Sequence, residues 1–166
     1  MASWIFASRN LVNIRTAKER LLWGFWDKNV GRGRLAEKLR RNWRDLIKYY
    51  NRIKAFDLVF LQLTRRYREF PAHGIYAFGV VERTYYDDQT PVWSDEHREN
   101  RVLYPWRVSF ATVVFSENPF AIYSEKIENY IDGYGIGELT EHGFRTIMEQ
   151  IREKLNVELN LKLEIR

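Results

Sequence analysis

Hydrophobic and polar positions along the chain fall into blocks with different periods, and each block predicts an element. Trp4-Ile5-Phe6-Ala7 is a short apolar run that predicts a first strand, closed by Ser8-Arg9-Asn10, whose side chains favour turns and helix caps. Leu11, Ile14, Ala17, Leu21 and Leu22 then recur near helical spacing, predicting a helix or irregular turn over Leu11 to Leu22 that leads into Trp23-Gly24-Phe25-Trp26. Asn29 to Arg34 holds two glycines and reads as a flexible basic loop. Leu35, Leu39, Trp43, Leu46 and Ile47 restore the helical period and predict one basic amphipathic helix within Gly33 to Tyr50. Phe56 to Leu63 and Gly74 to Arg83 predict two buried, paired strands joined by a charged turn, Thr64 to Glu69.

Further on, Tyr85 to Asn100 is polar and acidic around the apolar knot Pro91-Val92-Trp93, and it reads as a long loop. Tyr104 to Phe115 predicts another strand, with Pro105 confining its start to an edge or bulge. Leu139 to Leu155 carries a helical stripe (Phe144, Ile147, Met148, Ile151, Leu155). Val157, Leu159, Leu161, Leu163 and Ile165 then alternate with polar residues and predict a final half-buried strand. The sum is an α+β chain whose 166 residues suit one domain with its own core.

Charge changes this picture more than composition does. Met1 to Arg68 holds 17 Lys and Arg against 5 Asp and Glu, whereas the rest of the chain holds 10 against 17, so the halves carry +12 and −7. Such polarisation points to a polyanionic partner. An anionic membrane surface would also attract it, but no lipid anchor or signal stands beside the basic helix, so nucleic acid is the better candidate. Arg9, Arg32, Arg34, Arg40, Arg41 and Arg44, with Arg65 and Arg66 of the hairpin turn, are the candidate phosphate contacts. Without an apolar run of membrane-spanning length or a secretory leader pattern, a soluble cytoplasmic protein is expected.

Chemistry-bearing patterns are sparse. Cysteine is absent, which excludes disulfides, thiolate metal sites and a cysteine nucleophile. His73, His97 and His142 lie far apart without metal-ligand spacing. There is no Gly-x-Ser-x-Gly elbow and no phosphate-binding Gly-Lys-Ser/Thr loop. Neither a cofactor nor an enzyme is expected, and Asp95-Glu96-His97-Arg98-Glu99 reads as a solvated loop. Among the six tryptophans, Trp4 and Trp43 lie on the apolar phase of regular elements and are assigned to the core. Trp23, Trp26, Trp93 and Trp106 lie at element ends or in loops, where lining a site competes with packing.

Five pieces taken in order, Trp4 to Asn10, Leu22-Trp23-Gly24-Phe25, Phe56 to Leu63, Phe78-Gly79-Val80-Val81-Glu82 and Tyr104-Pro105-Trp106-Arg107-Val108, resemble the PUA-like superfamily, specifically its EVE and YTH branches, over about Ser3 to Pro119. The resemblance implies a twisted, barrel-like sheet with flanking helices. It also implies an aromatic cage for one extruded, modified base, with Trp23 and Trp93 as its walls and Ser8, Arg9 and Asn10 lining the same pocket. Trp26, Tyr104 and Trp106 are grouped with that pocket as further lining candidates. The chain departs from the pattern by a long basic insertion, Lys28 to Lys54, and by the acidic loop around Trp93. Similar modules stand at the N-terminus of McrB-type restriction GTPases. The resemblance therefore implies a targeting module for a modification-dependent restriction system, with DNA ahead of RNA as its ligand, followed in a longer chain by a GTPase motor that works with a nuclease. The competing expectations are an RNA-binding PUA-like protein without modified-base specificity, a small enzyme or metal protein around His97, and a protein-interaction domain.

Overall fold

The computed structural model describes residues 2–65, 73–123 and 130–164, with side chains as far as residue 156. Eleven elements follow one another along these segments: β1 (Ser3–Ser8), α1 (Leu11–Arg20), β2 (Leu22–Phe25), α2 (Gly33–Arg41), α3 (Trp43–Tyr50), β3 (Leu58–Leu63), β4 (Gly74–Tyr86), α4 (Ser94–Glu99), β5 (Trp106–Phe115), β6 (Ile136–Glu138) and α5 (Glu141–Glu164).

All six strands join one mixed sheet in the order β2-β5-β4-β3-β1-β6, strongly curled into a half-barrel, which makes the fold α+β. Only β1 and β3 run parallel, in register from Ser3 opposite Leu58 to Ser8 opposite Leu63. A parallel pair needs a long crossover, and here it consists of α1, β2, α2 and α3. The curl is set by β4, whose first half pairs with β3 from Gly74 to Val80 while its length from Ala77 to Tyr86 pairs with β5. Irregularities between Val80 and Val81 and between Val81 and Arg83 break that second ladder, and bulges of this kind bend a strand and increase its twist.

The short apolar runs in β1 and β3 are buried on both faces, which is why they lack a polar alternation. Trp4, Phe6, Val59 and Leu61 point to one side, where α1, α2 and α3 contribute Ile14, Leu39, Leu46 and Tyr50. Ile5 and Phe60 point to the other side and meet Ile147 and Ile151 of α5.

Several sequence expectations are corrected. The basic helix breaks at Asn42, whose backbone (φ −98°, ψ 8°) leaves the helical region, so α2 and α3 are separate. The Trp23 segment is a strand, and β4 extends to Tyr86. The long loop contains α4, and β6, absent from the expectations, adds an edge strand. Val157 to Glu164 continues α5 and is not a strand. The alternation is a local signal, and here the residues prolong a helix already under way from Glu141, while β6 pairs with β1, where Trp4 opposes Glu138. Arg66 and Arg68 of the hairpin turn lie outside the described residues.

Candidate functional site

The two expected cage walls do not face each other. On a strand, successive side chains point to opposite faces, so Trp23 and Phe25 project to one side of β2 and Gly24 opens to the other. Trp23 is only 5% exposed and packs against Phe6, with ring centroids 6.0 Å apart. Trp93 is equally buried and lies over Gly24 on the opposite side: a Cβ built on Gly24 would stand 2.7 Å from Trp93 Cη2 and 2.6 Å from Tyr104 Cβ. Glycine at position 24 lets those rings press onto the strand, and the strand itself separates the two indoles. This corrects the expected Trp23–Trp93 slot.

Trp93 is held there by a buried polar node. Glu96, expected to be solvated, is fully buried, and its carboxylate accepts four backbone N–H bonds: Oε1 from Val92 (2.8 Å) and Trp93 (3.2 Å), Oε2 from Leu103 (2.7 Å) and Tyr104 (3.1 Å). Arg107 of β5, also buried, lies 3.6 Å from Glu96, donates to Asp87 Oδ2 at 3.2 Å and to the Thr90 and Tyr104 carbonyls, and sits 5.4 Å from the Trp93 ring centroid. Tyr104 donates its hydroxyl to Asp95 (2.6 Å), and Trp26 packs on Tyr104 at 4.5 Å. Burial, and then the Asp95 carboxylate, push the Tyr104 hydroxyl far above its ordinary value. Trp26, Trp93 and Tyr104 thus come together as the anchor of the 87–105 segment. His97 is exposed on α4, while its neighbour Glu96 turns inward. The signal for this node in the sequence was the apolar knot Val92-Trp93 beside an acidic run, since a tryptophan inside a polar loop needs something to hold it.

The polar residues after β1 cap a helix. Asn10 Oδ1 accepts from the Val12 amide (2.9 Å) as the N-cap of α1, and Ser8 Oγ accepts from the Asn10 amide (3.0 Å) and from Asn13 Nδ2 (2.9 Å). The Arg9 side chain is exposed, and its carbonyl receives the Arg65 guanidinium at 3.1 Å.

The cations converge elsewhere. Where α2 gives way to α3, opposite the loop that follows β2, an open groove of about 590 Å³ is lined by Lys28, Asn29, Arg40, Arg41, Trp43 and Arg44. The break at Asn42 makes this geometry, because Arg40 and Arg41 end one helix while Trp43 and Arg44 begin the next. Asn42 Nδ2 donates to the Asp132 carbonyl (2.9 Å), pinning the junction to the segment before β6. The Asp132 carboxylate pairs with Lys38 at 2.9 Å, and that hydrogen bond first, with a smaller contribution from Arg41, holds it below the usual carboxylate range. Lys28, Arg40, Arg41 and Arg44 form no ion pair among the described residues. Arg32 and Arg34 are exposed at the start of α2, outside the lining of this groove.

Trp43, which its spacing assigned to the core, is half-buried and forms the aromatic wall of the groove. Lys28 Nζ is 5.6 Å from its ring centroid, and behind it Trp106 packs at 5.3 Å and 66°. Trp106 also meets Tyr50 (5.5 Å) and Tyr86 (4.8 Å), and its Nε1 is buried with no hydrogen-bond partner among the described residues. Tyr50 closes the cluster: its hydroxyl, with one proton to donate, lies between the carbonyls of Tyr85 (2.9 Å) and Arg107 (2.7 Å), and burial pushes its pKa up to about 12. The only expected pocket residue beside the groove is therefore Trp106, in the second layer.

The fold that carries this groove is a strongly curled six-strand half-barrel sheet flanked by helices. The chain belongs to the same family as the uncharacterized protein MJ1369 of Methanocaldococcus jannaschii, with which it is 42% identical over 157 residues, covering 95% of this chain and 94% of that protein. No family model matches the chain. A crystal structure of a Pseudomonas putida protein shares the fold at 13% identity, with a TM-score of 0.52 over 90% of this chain and 99% of that one. Protein PSPTO5229 of Pseudomonas syringae aligns at 14% identity and a TM-score of 0.45, over 89% and 98% of the two chains.

Proposed function

We propose that the protein is a nucleic-acid-binding module whose contact surface is the groove between Lys28 and the α2–α3 junction. The observation that carries this reading is the convergence on one groove of four cations that form no ion pair among the described residues, with no carboxylate in its lining. Arg40 and Arg41 end α2 and Arg44 lies in the first turn of α3, so three like charges crowd the break at Asn42, and nothing in the lining offsets their repulsion. A polymer of phosphates supplies the missing countercharge, and guanidinium groups suit it because they donate in a planar fork. Phosphate contacts of this kind hold DNA and RNA alike, so affinity precedes sequence preference. The Trp23–Trp93 cage has no part in this reading.

The test is the salt dependence of oligonucleotide binding. Four phosphates neutralised on a single strand predict an affinity loss of about 50-fold between about 50 and 200 mM salt. Replacing Arg40, Arg41 and Arg44 together with glutamine leaves one cation and reduces that loss to roughly threefold. Binding that ignores salt, or a triple variant with an unchanged salt slope, rejects the groove.

A further inference from the structure

We infer that the groove is a single-strand site in which one unstacked base lies on Trp43. This rests on the reading of the groove as a phosphate site and adds an aromatic contact to it. The Trp43 ring is fixed before any ligand arrives, held by Trp106 at 5.3 Å and by Tyr134 at 6.3 Å. A platform held in place loses little freedom when a partner stacks on it. Its remaining surface opens to the groove, where the Lys28 ammonium stands 5.6 Å from the ring centroid. Lys28 is exposed on the loop after β2, so a base can take its place over the indole while the ammonium moves to an adjoining phosphate. A cavity of about 590 Å³ falls within the size range of small-molecule sites, roughly 300–1,000 Å³, and accommodates a nucleotide unit of a strand that continues beyond it. Duplex bases are already stacked on one another and cannot offer a face to Trp43, so the arrangement selects strands that are open or locally opened.

The experiment compares three probes on the native protein by fluorescence anisotropy at low salt: a single-stranded oligothymidylate, an abasic strand of the same length, and a hairpin duplex. Base stacking of ordinary strength makes the base-bearing strand about 5- to 150-fold tighter than the abasic one. Trp43→Phe keeps that ratio, whereas Trp43→Ala removes it. Because Trp43→Ala also withdraws packing from Trp106, the abasic comparison, which leaves the protein untouched, is the deciding measurement. Equal affinity for abasic and base-bearing strands, or preference for the duplex, overturns the platform while the phosphate reading stands. Failure of all three probes to bind in a salt-sensitive way overturns both.

Discussion

Replacing Glu96 with glutamine removes one negative charge and little volume, yet a large loss of stability is expected. The carboxylate has two acceptor oxygens, each serving two backbone N–H groups, and it faces the buried Arg107 guanidinium at 3.6 Å. Glutamine keeps one oxygen and turns an NH2 group toward two N–H donors, so two hydrogen bonds are lost whichever way the amide is oriented. Hydrogen bonds to charged groups contribute about 1.5–3 kcal/mol each, and breaking a buried charge pair from one side costs about 3–5 kcal/mol. Two lost hydrogen bonds sum to about 3–6 kcal/mol, and about 3–5 kcal/mol of that is expected here, because Arg107 keeps Asp87 and two carbonyls and is not left uncompensated. For a domain of this size, that loss lowers Tm by about 6–20 °C in thermal unfolding followed by circular dichroism. Glu99→Gln on the exposed side of α4 serves as the control, and its effect should stay within about 0.5 kcal/mol. If the two variants melt within about a degree or two of each other, the Glu96 node does not hold the segment and the account of Trp93 fails with it.

Other expectations follow from the same structure. Gly24→Ala places a methyl group against Tyr104 and Trp93 and against the Tyr104 carbonyl oxygen at 2.9 Å; overpacking of this kind costs about 1–3 kcal/mol, readable as a lower urea midpoint. Trp23→Phe keeps a ring against Phe6 and should leave oligonucleotide affinity unchanged once the folded fraction is matched; a tenfold or greater loss would restore Trp23 to the binding surface. Alkaline titration tests Tyr50, whose pKa is raised from 10.0 to about 12 by burial. A raised tyrosine pKa means that the unfolded chain gives up the proton first. The stability it supports is present below pH 10 and is lost as pH climbs through about 12. Tm should therefore stay level to about pH 9 and fall above 10, while Tyr50→Phe flattens the fall. A profile identical to the parent's would rule out that assignment.

Elements with their own period were legible in the sequence. β1, α1, β3, β4 and β5 stand within a few residues of where their apolar runs place them, because burial on two faces or on one stripe leaves a local signature. The departures arise where distant residues decide. Val157 to Glu164 alternates like a strand, but it prolongs the helix that starts at Glu141. The break at Asn42 leaves no mark in the apolar spacing of Leu39, Trp43 and Leu46, and it depends on Asp132, 90 residues further along. The site divided in the same way. Arg40, Arg41 and Arg44 were identified by charge alone, whereas Trp43 was assigned to packing because its period is that of a core residue. Ring faces and strand sides are three-dimensional facts, so the separation of Trp23 from Trp93 by Gly24 could not be read from order along the chain.

Every residue lining the basic groove belongs to the β1 to β3 crossover, and the sheet enters only behind the aromatic wall, through Trp106 of β5. Only the inward positions of that crossover, such as Leu39, Leu46 and Tyr50, are committed to the interior. Their outward neighbours can be exchanged without disturbing strand order, so ligand preference and architecture can be inherited independently. If the groove holds a polymer as proposed, kindred proteins with the same scaffold are free to differ in what they grip, and an engineer could retarget this one by rewriting a handful of solvent-facing codons.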